Sequence, residues 1–305
     1  MNIAIAGAGA VGCHFGSLLQ QAGCQVALLA RGAHLQAIQA QGLKHTSLRR
    51  ETTVFIQADS DPAITGGADV VLLACKMTAL EAMCRQLSGH IGEHCLLATL
   101  QNGVQAPDLV AGHFPFHGVV AGAAFIGVRI DAPGHVVHSA AGSLRFGLWR
   151  EGKQSKAGSR LRELLQQLRM AGVAAGQADD ARALIWNKML WNCGFNAITA
   201  LTHQYARDVA VRRDTAQIAL AAMHEAKALA TSLGVTLPEG AADKQLAISR
   251  GLGPVKTSMW QDLDRGCPSE IDSINGFVAD RAEETGLGAP VNRLLTTLVR
   301  ALERR

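Results

Sequence analysis

"NIAIAGAGAVGCHFGSLLQQAGCQVALLAR", residues 2–31, decides the fold of this chain. A short apolar run is followed by three glycines in G-x-G-x-x-G spacing, Gly7, Gly9 and Gly12. Then comes a stretch of helical periodicity closed by Gly23, and a second apolar run over 25–30. Strand, glycine turn, helix and strand within about thirty residues is the size of a βαβ unit. The spacing alone is weak in a chain with 32 glycines; its place between a strand and a helix makes it specific. Gly7 permits the tight turn, Gly9 lets backbone approach a pyrophosphate, and Gly12 lets helix pack on strand. The helix start adds free N–H groups and a positive dipole end. Gly7, Ala8, Gly9, Ala10, Val11 and Gly12 therefore read as a dinucleotide-binding turn.

Arg31 ends the second strand, where an NAD-binding protein usually carries Asp or Glu for the ribose 2′-hydroxyl. An acid repels a 2′-phosphate and an arginine grips it with paired donors, so the expected cofactor is NADP(H). The bland alternative is an exposed loop arginine. Lys76 follows the apolar run "VVLLAC" and Asn102 follows "CLLATLQ". Both fall at carboxyl ends of buried strands, where open α/β sheets bind ligands. Lys76 can meet negative charge, and Asn102 offers both a donor and an acceptor.

Outward from this unit, alternating strands and helices continue. "HLQAIQAQG" (34–42) reads as a helix, "TTVFIQA" (52–58) as an edge strand, and "TALEAMCRQLSGHI" (78–91) as an amphipathic helix. Residues 117–149 suggest hairpin-like strands, and "SRLRELLQQLRMAG" (159–172) a further helix. Beyond Asp179 the texture changes to helices ended by Gly or Pro. Among these are 258–266 and one over 270–288. The expected layout is a Rossmann-like NADP-binding domain over 1–178 and an all-helical substrate domain over 179–305, with Asp179 or Asp180 capping the first helix.

Bulk numbers narrow the class. The 305 residues are 48% apolar and 18% charged, with a net charge of +4, the profile of a globular α/β enzyme. Basic runs at 48–50 and 304–305 are short and lack aromatics, so they read as solvated surface rather than a nucleic-acid footprint. Seven cysteines without a CxxC pair read as free thiols of a reducing cytoplasm. No apolar run has membrane-spanning length. Eleven histidines form no carboxylate-completed ligand set, so no metal is expected.

The second informative stretch is "WNKMLWNCGFNAITAL" (186–201). Lys188, Asn192 and Asn196 stand at i, i+4 and i+8, one stripe of a helix whose other faces are largely apolar. A solvated face would favour Glu, Lys and Gln; repeated Asn gives a helix nothing. A lysine in a water-poor pocket has its charged form disfavoured and becomes a better proton donor near neutral pH. Asparagines can hold substrate oxygens without adding charge. The pattern suits reduction of a 2-oxo acid. Asn187 lies about 100° off the stripe and reads as structural or solvent-facing.

Together these marks resemble the ketopantoate reductase (2-dehydropantoate 2-reductase) family over nearly the whole chain. They are "GAGAVG" with Arg31, "CK" at 75–76, "QNG" at 101–103, the 186–201 stretch, and "SMWQDL…EIDSINGF" (258–277). The related 6-phosphogluconate and β-hydroxyacid dehydrogenases also place a Lys-x-x-x-Asn helix after a Rossmann domain. The resemblance implies Lys188 as proton donor, and Asn102, Asn192, Asn196 and Ser258 as substrate contacts, with Ser258 at the carboxylate. It implies the glycine turn, Arg31, Lys76, Asn102 and Glu270 as cofactor contacts, with Glu270 near the nicotinamide ribose. The reaction implied is NADPH-dependent reduction of 2-dehydropantoate to (R)-pantoate, on the way to pantothenate, in a cytoplasmic protein; a homodimer is compatible with it. Read from the residues alone, Ser258 is equally a helix cap and Glu270 a first-turn acid.

One departure stands out. Many relatives carry a substrate-touching asparagine in the loop after this helix, and here that loop is "THQYARDV" (202–209). A reductase of a different branched 2-oxo acid, or an NADPH-binding sensor without turnover, therefore stays open.

Overall fold

The computed structural model describes all residues except 49, 154, 155, 255 and 305; of the basic runs, Arg49 and Arg305 thus lie outside the described residues. Contacts divide the chain into two compact units, Met1–Gln101 with Gln105–Leu184, and Asn102–Val104 with Ile185–Arg305. The division falls inside a helix at 184/185, six residues beyond the expected 178/179 boundary, and assigns 102–104 to the second unit.

The first unit is a ten-stranded mixed sheet with helices. Its core is the opening βαβ: β1 (Asn2–Ala6), α1 (Ala10–Gln21) and β2 (Gln25–Leu29), with β1 and β2 parallel. After α2 (Gly32–Gln41) come β3 (Leu43–Thr46), β4 (Glu51–Val54) and β5 (Gln57–Asp59). The chain then returns to the other side of β1 with β6 (Val70–Leu73), α3 (Met77–Leu87), β7 (Leu96–Thr99) and α4 (Ala106–His113). A long antiparallel hairpin, β8 (Gly118–Ala132) and β9 (His135–Arg150), is followed by α5 (Ala157–Met170) and β10 (Ala174–Ala178). The order is β4-β3-β9-β8-β7-β6-β1-β2-β5, with β10 beside β9. The direction of growth reverses between β1 and β6, the switch point at which such sheets bind ligands.

Why the central strands are apolar throughout is visible in their two faces. Ile3, Ile5, Val70 and Leu72 join Phe15 and Leu19 of α1 and Leu161, Leu164 and Leu168 of α5 in one core. Ala4, Ala6, Val71 and Leu73 join Leu80 and Cys84 of α3 and Val110 of α4 in the other. Parallel strands covered on both sides need such uninterrupted runs in place of alternation.

The stretch 52–58, expected as one strand, is two. Residues of β4 form one edge of the sheet and β5 the opposite edge. Only Phe55 and Ile56 separate them, a link that reaches no more than about 10 Å, so the sheet curls until its edges approach. The helix expected over 78–91 stops at Leu87, with Ser88 already extended. Strands β3 and β10 and helix α4 were not anticipated.

The second unit is helical: α6 (Ala181–Thr202), which begins in the first unit, α7 (Ala206–Val211), α8 (Arg213–Ser232), α9 (Ala241–Arg250), α10 (Ser258–Asp264), α11 (Asn275–Glu284) and α12 (Pro290–Glu303). Asp180 caps α6, its carboxylate accepting from the Ala183 N–H at 3.0 Å. The expected helix over 270–288 is broken into a single 3-10 turn, Ile271–Ser273, and α11. Helices α7, α9 and α12 add to those expected, and α7 takes up the second half of the stretch read as a loop over 202–209. No helix of the described residues is long and apolar enough to cross a membrane.

Candidate active site

In the first unit the glycines of the turn divide their work. Gly7 has φ +107, and a Cβ there would lie 2.5 Å from the Cys75 backbone nitrogen. Gly12 is as tightly confined: a Cβ would stand 2.4 Å from the Gly7 carbonyl oxygen and 2.7 Å from Ile5 Cγ2. Gly9 is exposed and open, with nothing nearer to an added Cβ than Ala74 O at 3.9 Å. Two glycines therefore bring β1, β6 and α1 together, and the third leaves backbone uncovered. No side chain caps α1 and no acid sits in its first turn, so its first N–H groups remain for an anion.

The other marks of the first unit lie around helix starts. Arg31 is exposed at the N-cap of α2, whose first turn also lacks a side-chain cap and an acid. Lys76 is exposed in extended backbone at the N-cap of α3. Gln101 was overlooked in the sequence. Its Nε2 donates to the carbonyls of Leu73 at 2.9 Å and Cys75 at 3.1 Å. It thereby ties the end of β7 to the turn that carries Lys76, and its Oε1 is buried without a partner.

In the second unit α6 presents the expected stripe. Asn192 and Asn196 are 3% and 1% exposed, and Nδ2 of the first and both amide atoms of the second have no hydrogen-bond partner. Such orphans are rare in folded proteins and costly. Lys188, half-buried one turn earlier, has its pKa pushed down to about 8 by burial of the ammonium, with the Glu270 carboxylate pulling the other way. Glu270 is itself buried, and Asn102 Nδ2 donates to its Oε2 at 2.9 Å. Lys188, Glu270 and Asn102 are thus linked in one unit although Asn102 is far away in sequence. Asn187 is structural: its Oδ1 accepts from Gln245 Nε2 at 3.1 Å.

Several contacts orient this helix. Gly194 lets α6 approach α8, since a Cβ there would meet Met223 Cγ at 2.9 Å. Asn275 Nδ2 donates to the Cys193 carbonyl at 3.0 Å and to Asn292 Oδ1 at 2.9 Å. Thr199 Oγ1 donates to the Asn196 carbonyl at 3.1 Å and lies 2.7 Å from Thr257 Oγ1. Thr257 caps α10, accepting from the Trp260 N–H. Ser258, expected as cap or carboxylate contact, is the first residue of α10, and exposed. Adjacent Thr and Ser made the cap ambiguous from sequence; Asn275 and Thr199 carried no signal, because the Cys193 carbonyl and the Thr257 hydroxyl they meet are distant in sequence.

Next to α10 the asparagine-free loop folds into an aromatic group. His203, with φ +53, stacks on Trp260 with ring planes 6° apart, and Tyr205 flanks the same indole at 5.5 Å. Lys256 Nζ stands 4.6 Å from the Trp260 ring centre. Among the described residues no group of three or more His, Cys, Asp or Glu side chains is placed to hold a metal ion.

A lysine whose pKa is lowered to about 8, an acid that supports its charged form and unmet amides suit proton transfer to a small polar molecule. Comparison with known proteins gives the family. A family model described as ketopantoate reductase PanE/ApbA matches residues 3–151, and its C-terminal counterpart matches 180–303. The 2-dehydropantoate 2-reductase of Mesorhizobium japonicum is 34% identical, over 99% of this chain and 98% of that protein. Among solved structures, the PanE/ApbA family ketopantoate reductase from Ralstonia eutropha JMP134 is 33% identical, with TM-score 0.90, covering 100% of this chain and 99% of that one. D-mandelate dehydrogenase, solved with NADH and anilino(oxo)acetate, shares the fold at 24% identity and TM-score 0.91, over 100% and 99% of the two chains. With both halves matched and a relative above 30% identity spanning its length, the chain belongs to the ketopantoate reductase family of oxidoreductases.

Proposed function

We propose that the protein reduces 2-dehydropantoate to (R)-pantoate with NADPH. The observation that carries this reading is the stripe of α6, where a lysine with pKa lowered to about 8 precedes two buried asparagines with unmet amide atoms. Lys188 Nζ would give its proton to the 2-oxo oxygen as that carbon is reduced, leaving a hydroxyl and a neutral amine. Asn192 and Asn196 would donate to substrate oxygens, and the substrate would complete the hydrogen bonds these amides lack. Glu270 supports the charged form of Lys188 before transfer. Ser258 is assigned the substrate carboxylate on the strength of the family resemblance, and Asn102 both substrate and cofactor.

A bound reduced nicotinamide supplies the hydride. The turn fits a dinucleotide, because Gly9 is uncovered and the N–H groups at the start of α1 lack a cap. Arg31 and the uncapped start of α2 suit a 2′-phosphate; Lys76 adds charge and Glu270 an acceptor. Arg31→Ala is expected to erase the preference for NADPH over NADH, and an unchanged preference refutes the choice of cofactor.

A second reading keeps the chemistry and changes the acid. The His203–Trp260–Tyr205 group stands where many relatives have an asparagine loop, which favours a bulkier, more apolar side chain on the 2-oxo acid. NADPH oxidation with 2-dehydropantoate and a panel of branched and aromatic 2-oxo acids, on wild type and Lys188→Ala, decides among these. Turnover of 2-dehydropantoate, lost in the variant, is the expected result. NADPH binding without turnover of any acid would leave a sensor in its place.

A further inference from the structure

The glycine turn is tied to the start of α2 by a short path of hydrogen bonds that runs in one direction. At the tip of the β8–β9 hairpin, the Gly134 N–H donates to His34 Nδ1 at 3.0 Å. That makes Nδ1 the acceptor, so the neutral ring carries its hydrogen on Nε2. Nε2 faces Cys13 Sγ at 3.3 Å. The thiol in turn donates to the Ala8 carbonyl at 3.3 Å, and burial, which pushes Cys13 up to about 12, keeps it protonated.

The last bond has a geometric consequence. In a planar trans peptide the N–H of the next residue points opposite to the carbonyl, and the chain has no cis peptide among the described residues. Holding Ala8 O toward Cys13 therefore turns the Gly9 N–H the other way, at the glycine whose surroundings are open. The Ala8 N–H is taken by Leu29 O at 3.2 Å, so both polar groups of Ala8 are fixed. At the other end of the path, His34 sits in the first turn of α2, three residues after Arg31. The hairpin tip is close enough only because it is glycine: Gly134 has φ +74, and a Cβ would meet Ala37 Cβ at 2.9 Å.

We propose that His34 and Cys13 are positioning residues for the dinucleotide, holding the Gly9 N–H and the Arg31 helix start in one fixed geometry. The proposal rests on the NADPH reading above. Neither side chain need touch the cofactor.

Four variants separate this from general packing. Asn places its amide near the position of Nδ1 and Gln near that of Nε2. His34→Asn thus retains the bond from Gly134 and loses Cys13, whereas His34→Gln does the reverse. Cys13→Ser keeps a donor and an acceptor; Cys13→Ala has neither. NADPH dissociation constants are measured by fluorescence titration without substrate, with a thermal midpoint for each protein. Cys13→Ala and His34→Asn are expected to bind NADPH about fivefold more weakly, the worth of one neutral hydrogen bond. Cys13→Ser and His34→Gln stay within about twofold of wild type on the same scale. Equal affinity in all five proteins overturns the proposal, as do losses that follow the thermal midpoint regardless of which bond is kept. Wild type that binds no NADPH removes the cofactor reading itself, and this inference with it.

Discussion

Asn102 and Glu270 are joined by a 2.9 Å hydrogen bond from the amide Nδ2 to the carboxylate Oε2, across 168 positions of sequence. The bond holds a buried carboxylate in the unit that carries Lys188, where its charge raises the lysine pKa against the effect of burial.

Removing that charge has a defined sign. With Glu270→Gln the attraction is lost and burial acts alone, so Lys188 falls further below about 8. In the proposed reaction the protonated amine is the donor, so the alkaline limb of the kcat/KM profile is expected to move to lower pH. An unmoved limb, measured from pH 6 to 10, would separate Glu270 from the proton donor.

Asn196 invites a trade of stability against activity. Its buried amide has no partner on either atom, a cost of about 1–3 kcal/mol for each unmet group. Asn196→Leu, similar in size, is expected to leave the thermal midpoint unchanged or raised while kcat/KM falls by about a hundredfold or more, the scale of a lost substrate contact. A variant that melts lower and retains full activity would identify Asn196 as structural.

The glycines of the turn should behave oppositely. Gly12→Ala forces a Cβ to within 2.4 Å of the Gly7 carbonyl and is expected to destabilise the fold by about 2–4 kcal/mol, in the range of severe overpacking. Gly9→Ala has room, so its denaturation midpoint should match wild type while NADPH affinity drops. Thermal melts paired with cofactor titrations distinguish the two.

Two buried histidines, His14 and His45, are expected to make the first unit acid-sensitive. His14 Nδ1 lies 3.0 Å from His45 Nε2, and His138 packs on His14 with ring centres 4.5 Å apart. Burial first, and then the neighbouring imidazoles, push His14 down to about 3; burial, His138 and Arg50 push His45 down to about 4. The unfolded chain takes up these protons near pH 6.5 and the folded chain only well below it. Stability from this source is intact above about 6.5 and declines as the pH falls toward about 4. Two protons give a slope of up to about 2.7 kcal/mol per pH unit. Urea midpoints from pH 7.5 to 4.5 should trace that fall, and His45→Gln should flatten it.

The sequence was most legible where one short segment does a whole job. The glycine spacing at residues 7–12 and the stripe of Lys188, Asn192 and Asn196 are local patterns, and the helices and strands that carry them form where the periodicity places them. What escaped was set by partners far along the chain. Strand β3 is only four residues long and is a strand because it lies between β4 and β9. Gln101, Thr199 and Asn275 look ordinary until the Leu73 carbonyl, the Thr257 hydroxyl and the Cys193 carbonyl come within reach. The pair at 257–258 had the right residue types, and the cap fell one residue earlier than Ser258.

The assignment of residues 102–104 to the helical unit bears on how this protein can be dissected. Gln101 is bound to Leu73 at the end of β6 and to Cys75 in the turn beyond it, while the next side chain is bound to Glu270. No single cut therefore yields both halves intact. A fragment beginning at Ile185 would retain Lys188, both stripe asparagines and Glu270, yet leave that carboxylate buried without its amide partner. Any scheme that swaps C-terminal halves between relatives has to bring the three-residue "NGV" segment along with the helices it serves.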